Sequence, residues 1–150
     1  MRNELLAEFR YDRWANERWA EVVTARWEEV VSDTRGELPT EPRDRAAAVF
    51  AHLLWAQRRW LVRLGREVSA EGAGWIPALS EAWLDEIARR DPEEIVAFFS
   101  PALGSAEARF GDLARHVAHH GTYHRGQLRE ICERAGLPFP ETDRFLWGRS

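Results

Sequence analysis

The chain contains no lysine: all 21 of its basic residues are arginine. That absence excludes Schiff-base chemistry and any phosphate-loop mechanism, both of which need a lysine amine. Cysteine is nearly absent too, with Cys132 alone, so neither an internal disulfide framework nor a Cys-rich structural zinc site can form. A reducing cytoplasm is the expected location. No run approaches the roughly 20 apolar residues needed to span a bilayer, and Met1-Arg2-Asn3-Glu4 lacks the basic-then-apolar pattern of a signal peptide. Neither secretion nor membrane insertion is expected. A net charge of -4 and a pI near 5.8 supply no basic field for phosphates, so nucleic acid is not an expected partner.

What is present fits a globular domain. The 150 residues are 45% hydrophobic and 31% charged, with 10 glycines and 7 prolines, which predicts one domain over 1–150 with a core that needs no disulfides. From Asn3 to about Val31 nothing breaks the chain, and Leu5, Phe9, Trp19, Val23 and Val30 recur at helical spacing, predicting a long amphipathic helix. Asp12 and Asn16 fall within about 20–40° of that stripe on a helical wheel, so both should point inward and need partners there. An interhelical hydrogen bond without functional role and a contact to substrate are both open for this pair.

Ser32 to Pro42 collects turn formers. Thr40 is then read as the cap of a second helix from about Arg43 to Val68, with Val49, Leu53, Ala56, Trp60 and Leu64 on one side and His52 flanking them. Residues 69–74 read as a loop, and Ser80 as the cap of a shorter helix to about Arg90 carrying Trp83, Leu84 and Ile87. Residues 91–110 read as irregular, because Pro101 and Gly104 break the helix start at Asp91-Pro92. A last helix spans Phe110 to Ala135, stopping at Gly136, and the tail around Arg144–Trp147 can add one short turn. The pattern is all-α, a four-helix bundle.

Four of the five histidines fall inside nine residues of the last helix: His116, His119, His120 and His124. At i, i+4, i+8, His116, His120 and His124 drift by only about 40° per step, forming one inward stripe with Leu113, Val117, Leu128 and Ile131. Imidazoles on a core-facing stripe are costly unless their nitrogens are satisfied, and an i, i+4 pair can bind one metal ion. Incidental spacing is the competing account. The clustering, and His52 as the one remaining histidine, favour a three-His site if the second and fourth helices are neighbours. The zinc-protease motif is absent, since Gly121 and Val117 stand where it carries Glu. Imidazole suits zinc, nickel, copper and iron alike; zinc or nickel is taken as the first expectation and iron as the next.

Gly121 and Gly126 sit mid-helix at a cost of roughly 1 kcal/mol each against Ala, pointing to close helix approach or room for a ligand. Tyr123 either fills core space or donates to a bound substrate, and Arg125 and Gln127 read as contacts to the metal ligands or between helices. Cys132 reads as a small core residue. The eight tryptophans are too many for one bundle core, which leaves some for a pocket mouth or a dimer interface.

Taken together, YDRWANERW (11–19), AHLLWAQRRWLVRL (51–64), LARHVAHHGTYHRGQL (113–128) and the terminal GLPFPETD resemble the DinB-like family of small metal-binding four-helix proteins over essentially the whole chain. The resemblance implies an up-down-down-up bundle, often a homodimer, with a divalent ion held by His52, His120 and His124. It is also similar to transferases and isomerases that use low-molecular-weight thiols. Two positions depart from the family pattern: His119 stands where Asn is common, and Gln57 where an acidic residue is frequent. Three functions follow as expectations. The first is a metal-dependent enzyme that activates a thiol or water against a small electrophile, with His116 as a contact to the metal ligands or a proton acceptor and Asp12, Asn16 and Tyr123 on the substrate side. The second is a non-catalytic metal-binding or stress-response protein, whose ion would be closed by a fourth ligand such as His116 or His119. The third is a metal-free interaction bundle.

Overall fold

The computed structural model describes residues 1–23 and 38–149. Those residues form four helices, α1 (Arg2–Val22), α2 (Pro42–Arg63), α3 (Trp75–Arg89) and α4 (Phe110–Ala135), and an antiparallel hairpin of β1 (Ile95–Ser100) and β2 (Gly104–Arg109). The helix pairs that pack are α1 with α3, α3 with α2, α2 with α4 and α4 with α1, a closed ring. Chain-consecutive α1 and α2 therefore stand on opposite corners. The helices that carry the histidines, α2 and α4, are neighbours, as a three-His site requires. Inside the ring lie Leu5, Phe9 and Trp19 of α1, Phe50, Leu53 and Leu61 of α2, Leu79, Trp83 and Ile87 of α3, and Phe110 and Leu128 of α4. Phe9 stacks on Trp83 at 5.0 Å between ring centres. No described helix is long and apolar enough to cross a membrane.

Several boundaries differ from those read in the sequence. The first helix is described to Val22; its expected continuation to Val31, including Trp27 and Val30, lies outside the described residues. The second starts at Pro42 behind Glu41, whose carboxylate accepts the Asp44 N–H at 3.0 Å, so Glu41 rather than Thr40 is the cap. It ends at Arg63, not Val68. Gly65 takes a φ of 80°, Arg66 N–H reaches the Leu61 carbonyl at 2.8 Å and Gly65 N–H the Val62 carbonyl at 2.9 Å, which is the paired bond set of a helix end closed by a left-handed residue. The third helix begins at Trp75, and Ser80 is buried inside it. Pro77 falls in the first turn of that helix, where its missing N–H has no intrahelical partner to lose. The last helix matches its expected span, Phe110 to Ala135, and a single turn does form at Arg144–Leu146.

Residues 91–110 are the main correction. Asp91 accepts the Glu93 N–H in a turn instead of starting a helix, and the strand Ile-Val-Ala-Phe-Phe that follows is β-branched and aromatic. Pro101 and Gly104, which argue against a helix, turn the hairpin: Leu103 N–H closes onto the Ser100 carbonyl at 3.2 Å and Gly104 takes a φ of 71°. The described residues are thus mostly helical, with the four helices expected and a small two-stranded sheet that the all-α pattern does not include. Phe98 turns inward and meets Trp60 of α2 edge-on at 5.1 Å, so the hairpin covers the end of the α2–α4 seam.

Candidate metal centre

His52 on α2 and His120 and His124 on α4 converge, with one ring nitrogen from each within 4.8 Å of the others. His120 Nε2 and His124 Nε2 stand 3.0 Å apart. Two nitrogens held by one ion at about 2.0–2.1 Å lie roughly 3 Å apart, so this pair already has the spacing of shared ligands. The rings of His52 and His124 meet edge-on at 4.8 Å and those of His52 and His120 at 5.3 Å. All three histidines are half-buried.

Their protonation suits a metal. Burial pushes His120 down to about 4, reinforced by the charges of His124, His52 and His116. Burial lowers His124 as well, opposed by its hydrogen bond with Gln127. At neutral pH these are neutral imidazoles with lone pairs, the form that binds metal. Gln127 fixes the tautomer of His124: its Oε1 lies 2.6 Å from His124 Nδ1, while its Nε2 donates to the Tyr123 hydroxyl at 3.2 Å. An amide oxygen only accepts, so Nδ1 carries the proton and Nε2 keeps its lone pair toward His120. A cavity of about 240 Å³ opens beside the cluster, lined among the described residues by Leu38, Val49, His52, His124 and Gln127. Leu38 and Val49 give it apolar walls; in the sequence Val49 falls on the packing side of the second helix and Leu38 in the turn-forming stretch before it.

The depressed His120 makes a pH prediction. Unfolded imidazole takes its proton near pH 6.5 whereas folded His120 resists until about 4. Between those values the unfolded chain binds more protons, so stability is complete above 6.5 and falls as pH drops toward 4, by less than the single-proton limit of about 1.4 kcal/mol per pH unit. Denaturant titrations of metal-free protein from pH 7.5 to 4.5 should show this decline. A flat profile would contradict it.

The remaining candidates lie elsewhere. His116 is exposed instead of inward, edge-on to Trp60 at 5.8 Å and 6.1 Å from the His120 ring, and His119 is exposed as well. The inward stripe therefore holds only its last two members, because the 40° drift per step carries His116 off the seam. Tyr123 is not core: it is 64% exposed, edge-on to His124 at 5.1 Å. Cys132 is buried, and burial pushes its thiol up, as a core residue. The tryptophans divide as expected: Trp19, Trp75 and Trp83 are buried, while half-buried Trp55 stacks on His52 and half-buried Trp14 lines a separate cavity.

Asp12 and Asn16 are buried, as their wheel position requires, and they spend their polar atoms on the protein. Asp12 Oδ1 accepts from Arg125 Nη1 at 2.6 Å, and its Oδ2 accepts from Gln57 Nε2 at 2.6 Å and Asn16 Nδ2 at 2.9 Å. Arg125 Nη1 also reaches Asn16 Oδ1 at 2.8 Å. The interhelical hydrogen bonds form, and neither residue lines the cavity beside the histidines. Gln57 belongs to this network, a role that its sequence position alone does not signal. Gly121 belongs too: a Cβ there would lie 2.6 Å from Asp12 Oδ1, so close approach explains it. Gly126 faces open space, and nothing in the packing accounts for it. The chain matches no family model, no curated protein and no solved structure.

Proposed function

We propose that His52, His120 and His124 hold one divalent ion, zinc or nickel before iron, and that the chain is a DinB-like up-down-down-up bundle. In this reading it is a cytoplasmic, homodimeric enzyme that activates a low-molecular-weight thiol or water for transfer to a small electrophile. The observation that carries the reading is the convergence of three imidazoles from two neighbouring helices. No fourth His, Cys, Asp or Glu joins the cluster among the described residues, and catalytic ions characteristically keep a position open where structural ones are closed by four protein ligands. That favours the enzyme over a structural ion.

A bound divalent ion supplies Lewis acidity, lowering the pKa of a thiol or water so that a nucleophile exists at neutral pH. The chain's own residues do the rest. Gln127 holds the His124 lone pair in place, Leu38 and Val49 exclude water from one side of the pocket, and Tyr123, held by Gln127, offers a hydroxyl at its rim. His116 stays a candidate proton acceptor from outside, one turn from His120. Asp12 and Asn16 are withdrawn from the substrate side.

The test is elemental analysis of tag-free protein purified without added metal, beside a His52→Ala His120→Ala double variant. About one divalent ion per chain, lost in the variant, is the expected result, followed by thiol consumption when electrophiles are screened. No ion in either protein, even after reconstitution, would leave the histidines structural. A fourth protein ligand would move the reading to a metal-binding protein without catalysis.

A further inference from the structure

The polar network at Asp12 solves a problem that the metal reading creates. A three-His site split between two helices is only as well defined as the distance between those helices. We propose that Asp12 is a positioning residue for the histidine triad, its carboxylate fixing α2 relative to α4 across the middle of the bundle. The inference rests on the metal reading above.

Its partners are placed to do this. On α4, Arg125 adjoins His124 and bonds to Asp12 Oδ1 at 2.6 Å. One turn earlier, Gly121 adjoins His120 and lets the same oxygen approach the helix so closely that a Cβ would meet it at 2.6 Å. On α2, Gln57 follows His52 by five residues and donates to the other carboxylate oxygen at 2.6 Å. One side chain of α1 thus bonds α4 at the position next to one ligand, lies against it at the position next to the other, and bonds α2 five residues past its own. Asp12, Asn16, Gln57 and Arg125 are all at least 95% buried, which makes these bonds stronger than surface ones and their geometry correspondingly strict. The Gln at position 57 fits this role chemically: a carboxylate there would face Asp12 as a like charge, whereas an amide donates.

Asp12→Asn keeps the size of the side chain but turns one acceptor oxygen into a donor pointed at donors. In the full chain it should weaken Zn²⁺ binding, measured by competition with a chromophoric chelator, by about tenfold or more, the range typical of lost supporting contacts. Gln57→Leu cuts only the α2 link and leaves the charge unchanged, so a loss there too is positional instead of electrostatic. With Co²⁺ as probe, both variants should change the visible ligand-field spectrum, which reports coordination geometry. Glu86→Gln, which loosens α3 against the C-terminal end of α2, more than ten residues past His52, should leave affinity and spectrum unaltered. Wild-type affinity and spectrum in Gln57→Leu would overturn the proposal, even if Asp12→Asn failed to fold, as would equal losses in Glu86→Gln. A wild-type chain that binds neither Zn²⁺ nor Co²⁺ would sink the metal reading itself, and this inference with it.

Discussion

Glu86→Ala should lower the stability of the fold by about 3 kcal/mol, the lower end of what breaking a buried ion pair costs. Glu86 is fully buried in α3, and its carboxylate accepts from Arg90 Nε at 2.6 Å, from Arg66 Nη1 at 3.2 Å and from Arg89. Arg90 also donates to the Leu64 carbonyl at 3.1 Å, just past the end of α2, and to Glu94 before the hairpin at 2.6 Å. One carboxylate therefore gathers the arginines that tie the end of α2 to α3 and to the start of β1. The lower end of the range applies because those arginines are partly exposed and can return to water. For a chain of this size the loss converts to about 6–12 °C in melting temperature, readable by calorimetry. Burial pushes Glu86 up, but the hydrogen bonds from Arg90, Arg66 and Arg89 outweigh it and hold the group below its ordinary value. Its contribution is thus present above the ordinary carboxylate pKa and lost as pH falls below it, so Glu86→Ala should flatten the acid limb of the stability profile. A melting temperature within 2 °C of wild type, a threshold of about 0.5–1 kcal/mol, would show that the arginines find other partners.

Glu86 also marks where sequence pattern stops being informative. It lies three, four and seven residues after Trp83, Ala82 and Leu79, all buried, so its place on the apolar face of α3 is visible on a helical wheel, as it is for Asp12 and Asn16. The wheel contains the local partners, Arg89 and Arg90 for Glu86 and Asn16 for Asp12, but not the distant ones: Arg66 is 20 residues away, and Arg125 is 113 residues from Asp12. Periodicity says which side of a helix is buried and nothing about which other helix meets it. The hairpin is hidden for a different reason. Its turn residues, Pro101 and Gly104, are read as breakers of a helix because Asp91-Pro92-Glu93-Glu94 looks like a helix start, and six-residue strands carry too few periods to compete with that signal. The end of α2 at Arg63 is set by Gly65, a single residue inside a run of helix-compatible ones.

The triad itself is the part of the site that spacing does reach. An i, i+4 pair must share a face, and His52 is the one histidine outside the cluster, so once α2 and α4 are neighbours the three have little choice. His116 shows the limit of the same argument: four residues further back, it has turned far enough to leave the seam and stand in solvent. Val49 and Leu38, which give the cavity its walls, carry no chemistry that would single them out in a sequence.

His124→Ala should abolish stoichiometric metal while leaving the helical circular-dichroism signal largely intact. His124 is the member of the triad closest to both of the others, 3.0 Å from His120 between nitrogens and 4.8 Å from His52 between ring centres, and its tautomer is set by Gln127. Its loss leaves two imidazoles, fewer than the three protein ligands of a catalytic site. The helix survives because Ala has the higher helix propensity and His124 is only half-buried, its removal sparing the core around Leu128 and Leu113. Gln127→Ala is the graded companion. It keeps all three ligands but releases His124 Nδ1, so affinity should drop by about 10–100-fold with one ion per chain still bound at saturation. The two variants separate a ligand from its support: loss of stoichiometry in the first and loss of affinity alone in the second is the expected pair. Full retention of the ion in His124→Ala would remove that residue from the site.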